Sequence, residues 1–139
     1  MGNDTKTLNG LLIRRTFTDD AGEVVASYRI NPADVNLANR CNEVAAFFEE
    51  LGKNTPPSAT LEDMLQLNNQ LEEKICYLLG YDARQSLFGF ISAASIMADG
   101  ELFAVYVVND IFEAAAPQIR KRAQAMKQAV EKHTAKYTK

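Results

Sequence analysis

Tryptophan is absent from this chain of 139 residues, histidine occurs once, and cysteine occurs twice. The single histidine, His133, sits in a charged tail, where a fraying segment would hold a catalytic base poorly. A Ser-His-Asp or Cys-His arrangement would have to draw on it. Neither HExxH nor the EF-hand pattern occurs, and Cys41 and Cys76 lack CxxC spacing. Two separated thiols with one imidazole make a poor zinc site, so both read as small buried thiols of a reducing cytoplasm. No run of about 18 apolar residues appears, which excludes a membrane-spanning helix. The opening stretch MGNDTKTLNG lacks the apolar middle of a signal peptide, and Lys6 stands where a myristoylation site needs Ser or Thr. In LLGYDARQSLFGF, Gly80 and Gly89 are wrongly spaced for a phosphate loop, and Phe90 follows where Lys-Ser/Thr is required. Internal repeats and low-complexity segments are also lacking. The expectation is a cytoplasmic protein without catalytic residues, cofactor, metal or membrane anchor.

What the chain does have is an ordinary globular composition, 47% hydrophobic and 24% charged, with charge unevenly spread. From Gln118 to Lys139 there are seven basic residues, Arg120, Lys121, Arg122, Lys127, Lys132, Lys136 and Lys139, against Glu131 alone. That tail carries +6, so residues 1–117 carry −9 of the net −3. An acidic body beside a basic tail suits an interaction arm, or complementation within the molecule or between subunits.

The segments LLIRRTFT (11–18) and EVVASYRI (23–30) flank DDAG and predict a β-hairpin with Gly22 in its turn. A lone hairpin is marginal in water, so it must lie on a helix or pair with another chain. From Asn31 the period changes. Asn31 or Asp34 caps a helix with Pro32 in its first turn, Leu37, Cys41, Val44, Ala45, Phe48 and Leu51 form its stripe, and Gly52 lies at its end. Pro56 and Pro57 break it. Thr60 and Asp63 suggest a capping box for a helix over 61–79, striped by Leu61, Met64, Leu65, Leu71, Ile75, Leu78 and Leu79 and interrupted by Asn68. Gly80 ends that helix. Asp82 caps the next, with Leu87, Phe88, Ile91, Ala94, Ser95 and Ala98 on one face. The Asp99-Gly100 pair is a hairpin signal, but residues 101–116 follow a 3.6-residue period through Val105, Val108, Ile111, Phe112 and Ala115, so helix is expected. Pro117 kinks or ends it, and a basic helix runs from Gln118 to about Tyr137. The expected fold is α+β, mainly helical: one domain, 1–139, with a flexible N-terminus (1–9), a hairpin (10–31), a helical body (32–117) and a basic C-terminal helix (118–139), about five helices in all.

The acidic pairs Asp19–Asp20, Glu49–Glu50 and Glu72–Glu73 read as surface charge, since neighbours on a helix diverge by about 100°. Phe47, Phe48, Phe88, Phe90, Phe103 and Phe112 read first as core. Phe47 and Phe48 are consecutive, as are Leu87 and Phe88, so one narrow seam cannot bury them all, and some apolar surface is left for a partner. Arg120, Lys121 and Arg122 could touch phosphates, but no helix-turn-helix frame surrounds them, so an acidic protein surface is the expected partner and nucleic acid is not.

The order of hairpin, NPADVNLANRCNEVAAFFEEL, EDMLQLNNQLEEKICYLLG, then SLFG and a basic helix resembles the tail assembly chaperones of long-tailed phages and Gram-positive prophages. The matching positions are Phe47, Phe48, Leu51, Gly80, Phe88 and Gly89. The resemblance implies a non-enzymatic factor of the host cytoplasm, absent from the mature virion. It would coat the tape measure protein, recruit tail tube subunits and often self-associate. Two other classes stay open: a virion structural or connector protein assembling through the hairpin, and a small DNA-associated regulator using the basic helix.

Overall fold

The computed structural model describes residues 5–53 and 60–135. The hairpin forms as β1 (Ile13–Thr18) and β2 (Val24–Ile30), antiparallel, with Ile13 opposite Ile30, Arg15 opposite Tyr28 and Phe17 opposite Ala26, and an irregularity at Phe17/Thr18. Asp19 builds the turn by accepting from the Ala21 and Glu23 amides. Alternation gives the sheet one inner face, where Ala26, Tyr28 and Ile30 are buried beside half-buried Ile13 and Phe17.

Four helices follow, α1 (Leu37–Lys53), α2 (Leu61–Leu79), α3 (Arg84–Phe88) and α4 (Phe103–Ala135), so the fold is α+β and mainly helical, with four helices among the described residues rather than about five. α1 starts at Leu37, later than the Asn31 or Asp34 cap predicts. Both side chains instead close Asx turns, Asn31 onto the Ala33 amide and Asp34 onto the Asn36 amide, and these compete with helix. Arg40 then holds Asp34 by an ion pair at 2.9 Å. The break expected at Pro56 and Pro57 lies outside the described residues, as do Lys136, Tyr137, Lys139 and the side chain of His133. α2 begins with the capping box of Thr60 and Asp63 and ends at Gly80, whose φ of 82° is left-handed. Its C-terminal half buries Leu71, Ile75, Leu78 and Leu79, while Leu61, Met64 and Leu65 of the expected stripe stay exposed.

The helix expected through Ala98 stops at Phe88. A Cβ on Gly89 would lie 2.5 Å from the Gln85 carbonyl oxygen, so this close approach needs glycine. Residues 89–102 are irregular, and Asn68 pins them by accepting from the Ala94 amide at 2.9 Å. The residue that interrupted the α2 stripe is therefore a clamp. The Asp99-Gly100 signal is a real turn, closed by Gly100 N–H to Met97 O and by the Ile96–Leu102 bridge. It delivers the carbonyls of Ser95 and Ala93 to the first amides of α4, Phe103 (2.8 Å) and Ala104 (3.0 Å), satisfying donors that a cap would otherwise serve.

α4 runs for 33 residues, about 50 Å, straight through Pro117. The proline break fails because Pro117 and Glu113 both lie on the solvent side, where water can take the carbonyl that proline leaves unbonded. One core cluster joins the elements, from Tyr28 and Ile30 through Leu37, Val44, Leu71 and Ile75 to Val107, Ile111 and Ala115. Phe103 anchors it, edge-on to both Phe17 (5.8 Å) and Phe88 (6.0 Å).

Candidate functional site

α4 has two apolar faces. One, through Ala104, Val107, Ile111 and Ala115, is buried in the core. The other, through Val105, Phe112, Ala116, Ile119, Ala123, Met126 and Val130, passes from half-buried to open. Its spacing from Phe112 to Val130 alternates threes and fours after the first step, the pattern that packs one helix along another. Facing it, α1 presents Ala38, Cys41, Ala45 and Phe48 at the same spacing.

Between these walls runs a furrow of three adjoining hollows. The widest, about 610 Å³, is lined by Phe48, Leu51, Leu67, Ile96, Leu102 and Val105, among others, with Glu49 and Glu101 on its edge. A second, about 360 Å³, shares Ala45 and Phe112 with the first and continues to Cys41, Ala116, Ile119 and Arg120. A third, about 240 Å³, shares Ala38 and Ile119 and ends at Val35, Arg122 and Met126. From Leu102 to Met126 the furrow extends about 36 Å along α4. The α4 wall alternates large and small through Phe112, Ala116, Ile119, Ala123 and Met126, while the α1 wall is small at Ala38, Cys41 and Ala45 and large at Phe48. Such alternation lets a third helix approach closely and interdigitate. The furrow is also polarised, with Glu49 and Glu101 at one end and Arg120 and Arg122 at the other, where the one carboxylate among the described residues lining it, Asp34, is paired with Arg40.

Its chemistry is apolar contact. Burial pushes the Cys41 thiol up, away from the reactive thiolate. Cys76 lies apart, buried, its sulfur accepting from the Ala83 amide at 3.3 Å, and its thiol is also pushed up by burial. Among the described residues no group of three His, Cys, Asp or Glu could hold a metal ion. Nor is any helix among them long and apolar enough to cross a membrane.

The sequence-predicted partner residues are divided by this geometry. Phe48 lines the furrow, while the neighbouring Phe47, edge-on to it at 5.5 Å, turns towards α2 under the Lys74 ammonium. Leu87 and Phe88 are corrected to core: Leu87 is 0% exposed and Phe88 packs against Phe103. Their consecutive positions do not force one outward, because α3 is a single turn enclosed by β2 and α2. Arg120 and Arg122 line the furrow's far end, and Lys121 lies on the opposite side with Pro117 and Gln124. Missed altogether were Ala38, Ala116, Ile119, Ala123 and Met126. For the four on α4 the three-and-four spacing through Pro117 was the signal, hidden by treating the proline as a break.

Comparison with protein-family models, with curated proteins and with solved structures gives no match.

Proposed function

We propose that this protein is a non-enzymatic chaperone of phage tail assembly that holds helical segments of its client in the furrow between α1 and α4. One observation carries the reading: an apolar furrow about 36 Å long, with one wall alternating large and small side chains and the other mostly small, as in a helix bundle with a helix left out. A tape measure protein is long and helical, with apolar stripes that aggregate until the tail tube encloses them. Covering such a stripe calls for an extended groove with charge at its ends. The acidic body supplies solubility to the complex, and the tail tube subunit is the second expected partner. The reading places the protein in the host cytoplasm and outside the finished virion.

The test is co-expression with the cognate tape measure protein. The client should stay in the soluble fraction with the wild type and pellet with Ala45→Arg, which fills the furrow from an exposed position of α1. A client equally soluble with both would overturn the furrow as its binding surface.

A further inference from the structure

The open face of α4 continues past the N-terminal end of α1, where Met126, at the edge of the hollow it shares with Val35, and Val130 are 55% and 57% exposed. The helix is continuous, so this arm cannot fold back into its own furrow. We infer that in the absence of client the furrow is filled by α4 of a second copy, running antiparallel about a two-fold axis between Pro117 and Gln118. The inference rests on the furrow being a helix-binding surface, and it names that surface's resting occupant.

Charge fixes the direction. A parallel pair would lay one basic arm along another, Arg120, Arg122 and Lys127 against their own copies. An antiparallel pair lays each arm over the acidic end of the partner furrow, at Glu49 and Glu101. Side-chain size and charge together fix the register. With the axis between Pro117 and Gln118, Ala116 meets Ile119, Phe112 meets Ala123 and Val105 meets Val130, large against small in the central layers. The same register sets Arg120 of each copy beside Glu113 of the other, both exposed in the single molecule. Sliding by one heptad brings Glu113 against its own copy instead, a like-charge contact that disfavours that register. A two-fold pair of this kind closes on itself, since every contact is made twice. Four helices, α1 and α4 from each copy, then form one bundle, and a client helix must displace the partner's α4 to enter.

The test uses this protein alone, so its failure leaves the client reading standing, and failure of client binding leaves this one standing. Molar mass in solution is measured for the full chain, for Glu113→Arg, for Arg120→Glu and for the two together. The wild type should be a dimer, each single reversal should weaken dimerisation about tenfold or more, and the double reversal should restore it. Circular dichroism checks that each variant stays folded. A Val105→Cys/Val130→Cys variant tests the register directly, because those positions lie too far apart on one helix to bond within a chain. Oxidation should give covalent dimers linked from position 105 of one copy to position 130 of the other. A monomeric wild type, a dimer indifferent to both reversals, or links joining position 130 to position 130 would each overturn the inference.

Discussion

The guanidinium of Arg15 on β1 grips the carboxylate of Asp110 on α4 with two hydrogen bonds, Nη2 at 2.9 Å and Nε at 3.2 Å. Tyr28 of β2 donates its hydroxyl to the same carboxylate at 2.6 Å. Phe17 and Tyr28 bring the hairpin to the core, and this three-residue contact fixes how it sits on α4. It also turns the core face of α4 inward and leaves the Val105–Val130 face to the furrow.

Asp110→Ala should therefore cost about 2 kcal/mol, the scale of hydrogen bonds to a charged group, moderated because Arg15 is partly exposed. Tyr28→Phe should cost about 1 kcal/mol. Urea unfolding at neutral pH checks both.

The Arg15 hydrogen bond holds the Asp110 carboxyl below the usual carboxylate range. A carboxylate depressed in the folded state contributes stability above its ordinary pKa of about 4, and this is lost as pH falls through the lower folded value. The wild type should thus lose stability as pH falls below about 4, and Asp110→Asn should lose less of its own over the same range. Parallel acid dependence in the two proteins would show that the contact is absent in solution.

Phe88→Asp should unfold the domain, since it places an unpaired charge against Phe103. Phe48→Asp, on the furrow wall, should keep the helical circular dichroism and lose the client. The two outcomes separate core from surface among phenylalanines that sequence alone could not sort.

Much of this architecture was legible in the residues. The runs 11–18 and 23–30 flanking Asp19–Gly22 specified the hairpin, and Thr60, Asp63 and Gly80 marked both ends of α2, because caps and turns act locally. Two elements were hidden, each by a tertiary effect overriding a local rule. The segment after Phe88 keeps a helical apolar pattern, but the close approach at Gly89 and the reach of Asn68 to the Ala94 amide draw it out of helix. Pro117 reads as a kink or a stop, yet the Glu113 carbonyl it leaves unbonded faces water, so α4 continues. Splitting α4 in two concealed the single face that lines the furrow, and with it most of the candidate site.

Because Pro117 sits inside a helix that it weakens, Pro117→Ala should stabilise the protein, by up to about 3 kcal/mol, the difference between the two residues in a helix interior. Hydrogen exchange should slow at the amides from Ala116 to Ala123. Unchanged exchange there would mean that the helix does not run through this point in solution.

The most direct test of the furrow is site-specific photo-crosslinking to the co-expressed tape measure protein, with the photoreactive residue placed in turn at Ala45, Ile119 and Lys121. Ala45 and Ile119 line opposite walls of the furrow, and Lys121 lies on the other side of α4. The account predicts crosslinks to the client from Ala45 and Ile119, falling on one helical stripe of the client, and none from Lys121. Crosslinking from Lys121 with silence at Ala45 and Ile119 would contradict it.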